Sequence, residues 1–126
     1  MTLIDRPQVL HGATYELKLD HLPDSIFVTI NHKEVDGELK IHELFINSWD
    51  SEQLKWSPLC ARLVSAVLRQ GGASDFIYRE LQDMFSAESF FYKSKQYSSV
   101  VSLIGELLES HQHRLLEDKD DSKSTM

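Results

Sequence analysis

An alternating apolar segment that doubles back on itself constrains this chain most. Ile26, Val28 and Ile30 alternate with polar or aromatic residues, and Leu44 and Ile46 do the same beyond Val35-Asp36-Gly37. Period-two alternation on both sides of an Asp-Gly pair is the pattern of a β-hairpin. Register decides whether its apolar side chains share a face. A two-residue loop at Asp36-Gly37 sets Ile30 across from Glu43 and leaves both faces mixed. A three-residue loop, Val35-Asp36-Gly37, with Gly37 left-handed and bulged, sets Ile26 against Ile46, Val28 against Leu44 and Ile30 against His42. One face then becomes almost wholly apolar. The expectation is therefore the bulged turn, with Phe27 and Phe45 on the opposite, partly covered face.

The rest of the chain supplies what covers that sheet. Residues 1–12 read as an extended arm, since Pro7 bars a continuous helix. Thr14 to Leu19 alternates through Tyr15, Leu17 and Leu19 and reads as a further strand, closed by the turn signal Pro23-Asp24-Ser25. Beyond Ser48 the period changes. Asp50 or Ser51 can cap a helix, and Pro58 either kinks that helix or divides it from a preceding turn. Leu59, Leu63, Ala66 and Val67 form a helical face, widened by Cys60, Val64 and Leu68, and Gly71-Gly72 stops it. Ser74 can cap a second helix carrying Ile77, Tyr78, Leu81, Met84 and Phe85. Ala87 to Tyr97 reads as a loop or short strand. Ser98 or Ser99 starts a third helix through Val100, Val101, Ile104, Leu107 and Leu108. The expected fold class is α+β: an N-terminal antiparallel sheet of about three strands packed against about three C-terminal helices. Residues 1–116 form the single domain, and the acidic tail 117–126 is expected to be disordered for want of apolar support.

Composition removes some functions. A net charge of −7 disfavours general nucleic-acid binding, which needs clustered Lys and Arg. No apolar run approaches the roughly 20 residues that span a bilayer, and the first residues carry no stretch long enough for a secretory signal. The one cysteine, Cys60, cannot form an internal disulfide. That fits a reducing, cytoplasmic setting.

Candidate chemistry is sparse. His111 and His113 stand two apart on a helix and point to opposite sides, so they do not share a metal ion. Cys60 sits among Leu59, Ala61 and Leu63, a poor place to stabilise a thiolate. Glu43, Asp36, Asp50 and Glu52 read as solvated surface charge. Arg69, Gly71, Gly72 and Ser74 lie between two helices, where backbone N–H groups and a guanidinium can hold an anion. Helix capping explains the same residues. Phe90, Phe91 and Tyr92, rimmed by Lys93, Lys95 and Gln96, have the composition of a docking patch. Alternation buries either Phe91 or its two neighbours. No residue is assigned a catalytic or metal-ligating role.

The order of motifs resembles the TSCPD domain. The resemblance begins at Arg6-Pro7, Val9-Leu10, Gly12, Thr14-Tyr15 and Leu17. It continues through Thr29-Ile30-Asn31, Val35-Asp36-Gly37 and Glu43-Leu44-Phe45-Ile46-Asn47-Ser48. Arg62 to Gly72 is its strongest block, followed by Glu80-Leu81, Met84-Phe85, Ile104-Gly105 and Glu109. The five residues that name the family should fall near Gln96 to Val100. Here they read Gln96-Tyr97-Ser98-Ser99-Val100, without the cysteine. Such domains occur at the C-terminal end of adenosylcobalamin-dependent (class II) ribonucleotide reductases, as their small split subunits and as free-standing proteins. The resemblance implies an accessory, non-catalytic subunit or domain of a ribonucleotide reductase system, acting by protein–protein contact in deoxyribonucleotide synthesis. It implies a larger class II reductase chain as partner, with adenosylcobalamin bound there and no cofactor in this chain. A small-ligand binding protein, holding an anion or nucleotide near Arg69 to Ser74, is the alternative.

Overall fold

The sheet and the helices expected from the sequence are both present, joined by a register that differs from the expected one. A computed structural model describes residues 6–49, 54–70, 75–86 and 89–124, and side-chain surroundings as far as 117. Strands β1 (His11–Leu17), β2 (Ile26–Val35) and β3 (Glu38–Ser48) form an antiparallel sheet in the order β1-β2-β3. Helix α1 (Ser57–Leu68) and helix α2 (Asp75–Gln82) follow, then a short hairpin, β4 (Phe90–Tyr92) and β5 (Lys95–Tyr97), and the long helix α3 (Val100–Ser124). This is the expected α+β class.

The hairpin turn is the two-residue Asp36-Gly37, with φ of 51° and 83°. Both residues are left-handed, the geometry whose twist suits a tight hairpin. Gly37 is at positive φ as expected, but the three-residue loop is not formed. Val35 pairs with Glu38 and His32 with Ile41; the register then shifts, and Ile30 pairs with Leu44 and Val28 with Ile46. The extra residue therefore sits in mid-strand, beside Asn31 and His32, rather than at the turn. His42 does not face Ile30, and neither does Glu43. The expected pairs are therefore displaced by two residues, with Val28 across from Ile46 rather than Leu44 and Ile26 across from Ser48 rather than Ile46, because the extra residue is His42 in β3 and not Val35 at the turn. An insertion in either strand still places Ile26, Val28, Ile30, Leu44 and Ile46 on one buried face.

The core forms where α3 and α1 close on this face. Ile26, Val28, Ile30, Ile104 and Leu108 are fully buried, and Leu44 and Tyr78 nearly so. Each such side chain contributes about 1.5–3 kcal/mol of hydrophobic stabilisation. Strand β3 lies at the edge of the sheet, and two helices satisfy its outward backbone groups through side chains. Ser65 Oγ on α1 accepts the Leu44 N–H at 3.0 Å and donates to the Leu44 carbonyl at 3.2 Å. Gln112 on α3 accepts the Ile41 N–H at 3.0 Å and donates to the Leu39 carbonyl at 2.8 Å. These bonds cover the middle of an edge that would otherwise be open to another strand.

They also decide how α1 is turned. Its buried residues are Ser57, Ala61, Val64, Ser65 and Leu68, whereas Leu59 and Leu63, expected inside, are exposed. Pro58 stands in the first turn, where its missing N–H costs nothing. Helix α2 ends at Gln82, so Met84 and Phe85 fall beyond it and are exposed. Ser99 Oγ accepts the Ser102 N–H at 3.0 Å and starts α3. That helix continues to Ser124, through most of the tail expected to be disordered, because no Gly or Pro after Gly105 interrupts it.

Candidate functional site

Two features stand out beyond the core: a buried carboxylate held by three side chains, and an apolar groove. The carboxylate is Glu43, on β3 beside the bulge, with a fully buried side chain. Arg6, from the arm that precedes β1, grips it with two bonds, Nε to Oε2 at 2.9 Å and Nη2 to Oε1 at 3.0 Å. Asn31, its partner across the sheet, donates to Oε1 at 2.8 Å. Arg69, just past α1, donates from Nη2 to Oε2 at 3.3 Å. Burial alone would push the Glu43 carboxyl up. The hydrogen bonds from Arg6 and Asn31 and the charges of both arginines outweigh it and hold the group below the usual carboxylate range.

A carboxylate so held is a poor proton donor or acceptor. It ties the arm, the sheet and the end of α1 together, and the three charged groups leave an excess of one positive charge. His42 lies alongside. Burial, followed by the Arg69 charge, pushes its imidazole down, so it stays neutral at pH 7. The half-buried Cys60 thiol is pushed up by burial, opposite to what a nucleophilic thiolate needs.

The groove lies between the helices and has a volume of about 560 Å³. Leu59, Cys60 and Leu63 of α1 form one wall. Met84 and Phe85, beyond α2, with Phe90 and Val101, form the other. Leu59, Leu63 and Phe85 are 64%, 59% and 86% exposed. Exposed apolar area of this kind is found at interaction surfaces and ligand grooves.

The residues singled out in the sequence do not converge. Arg69 is turned onto Glu43. Gly71, Gly72 and Ser74 lie outside the described residues. Phe90 is buried, its ring 5.9 Å from that of Tyr97, so it belongs to the core and not to an exposed patch. Phe91 is exposed and Tyr92 half-buried, because β4 alternates and the Lys93-Ser94 turn fixes its register with β5. Glu43, expected as solvated surface charge, is instead buried. Nothing local in the sequence announces its partners, which lie 37, 12 and 26 positions away. Among the described residues, no helix is long and apolar enough to cross a membrane.

A family model described as the TSCPD domain matches residues 2–112. No curated protein matches the chain, and no solved structure does.

Proposed function

The chain belongs to the TSCPD domain family, and from that premise we propose that it is an accessory, non-catalytic unit of a ribonucleotide reductase system that acts by contact with a larger chain. The observation that carries this reading is the apolar groove, whose Leu59, Leu63 and Phe85 are largely exposed. Its size and lining suit a partner's apolar side chains with little need for polar matching. The chemistry of the chain agrees. Ribose reduction by a thiyl radical needs a radical-forming cysteine and a reducing pair, and this sequence has one cysteine. That cysteine has a raised pKa. The radical cysteine, the reducing pair and adenosylcobalamin accordingly belong to the partner, a class II reductase chain.

The test is reconstitution. The purified chain, given ribonucleotide, reductant and adenosylcobalamin, should form no deoxyribonucleotide. Mixed with a class II reductase chain that lacks this domain, it should co-sediment as a defined complex. Turnover by the isolated chain, or failure to bind the reductase, would refute the proposal.

A further inference from the structure

Helix α1 has a second side that the docking groove does not use. Arg62 and Arg69 stand two helical turns apart on α1 and the residue that ends it, so both project from that side, about 10 Å apart along the axis. With Phe45 and Asn47 of β3 they line a cleft of about 450 Å³ between the helix and the edge strand. No residue lines both this cleft and the apolar groove. The cleft is positive in an acidic molecule. Its lining holds two guanidinium groups and no carboxylate, whereas the chain as a whole carries −7. We infer that it binds a nucleotide, with the phosphate held by Arg62 and Arg69 and the base laid against Phe45.

Local structure prepares each group for that duty. Ser65 Oγ pins α1 to Leu44 through two hydrogen bonds, so the two walls are held at a fixed spacing. Arg6 matches the Glu43 charge with its two shorter bonds, at 2.9 and 3.0 Å, and the Arg69 charge is surplus. Arg69 makes one bond to that carboxylate, from Nη2 at 3.3 Å, and its side chain stays 31% exposed. Its Nε is buried without a partner, a donor that is costly to leave unpaired. Arg62 is exposed and has no hydrogen-bond or ion-pair partner among the described residues. A guanidinium can donate to two phosphate oxygens at once. Phe45 alternates with the buried Leu44 and Ile46 and is 44% exposed on the sheet face turned away from the core. An open aromatic face of this kind stacks a nucleobase whatever its identity. Asn47, two positions along the same face, brings an amide donor and acceptor to the edge of the base. The volume lies within the range of small-molecule sites.

Calorimetric titration of the native chain with AMP and with ADP at low salt should show one site with a Kd below about 1 mM, weakening as salt is added. Inorganic phosphate and adenosine each carry half of the recognised chemistry and should bind roughly tenfold or more weakly than AMP. Arg62→Gln and Phe45→Ala, both at exposed positions, should each weaken AMP binding roughly tenfold or more while the melting temperature stays near that of the native protein. Arg79→Gln removes an exposed positive charge from α2 and should bind AMP as the native protein does. Absence of nucleotide binding by the native chain would overturn the inference. So would inorganic phosphate bound as tightly as AMP, or an Arg62→Gln protein that binds AMP like the native one. The outcome is independent of the docking reading, since the two surfaces share no residue.

Discussion

Glu43 shows how one residue can escape a reading of local pattern and still organise the molecule. Its partners come from an arm, a neighbouring strand and a helix end, so its burial is a tertiary fact. Only the mid-strand bulge turns it onto Asn31. Removing it leaves two guanidinium groups facing each other across a cavity. Glu43→Ala should therefore cost about 3–5 kcal/mol in urea unfolding. A loss under about 1 kcal/mol would mean that solvent replaces the carboxylate freely. The same neighbourhood fixes the response to acid. His42 has a folded pKa below its ordinary 6.5, so its contribution is complete above that value and is lost as pH falls. Glu43 has a folded pKa below its ordinary 4.5, and its contribution is likewise lost on acidification, at lower pH. Both signs agree. Stability should be level from about pH 7 to 8, decline below 6.5, where His32 and the buried His111 add to the effect of His42, and decline further below 4.5. Stability that rises between pH 7 and 5 would contradict the assignment.

At the scale of elements, periodicity carried most of the information. Strands β1 to β3 and the Ser99 start of α3 follow from alternation and capping. What periodicity could not place was the inserted residue, since any bulge between turn and core yields the same apolar face. Nor could it foresee that α1 would turn Ser65 toward the edge of β3, leaving Leu59 and Leu63 outside. Hydrophobic pattern ranks faces by apolar content, and here hydrogen bonding to an open strand edge decided instead. The pairing of α2 with α3 has a sharper requirement. A Cβ on Gly105 would lie 2.7 Å from Leu81 Cβ and 2.8 Å from the Tyr78 carbonyl oxygen. Those atoms belong to the backbone and stem of α2 and cannot swing away. Gly105→Ala should cost about 1–3 kcal/mol, read as a lower melting temperature. An unchanged melting temperature would show that the helices separate at little cost.

For the whole molecule, the fold closes one face of a sheet with helices, seals an edge strand with two side chains and leaves an apolar groove open. The groove was only half legible in the sequence. Its residues are apolar, and apolar residues in a helix are first assigned to the core. Which of them stay outside depends on the rotation of α1 and on α2 ending at Gln82. The docking patch expected at Phe90, Phe91 and Tyr92 is reduced to Phe91 as an exposed ring, with Phe90 forming part of the groove wall from within the core. Contact with a larger chain through Leu59, Leu63 and Phe85 is the central claim. Its most direct test is calorimetric titration of the Leu63→Glu protein against the class II reductase chain, beside the native protein. Leu63 is exposed, so the variant should keep the native melting temperature while its affinity falls by roughly 2 kcal/mol or more, as expected for a charge placed in an apolar contact. Equal affinity of the two proteins for that chain would contradict the claim.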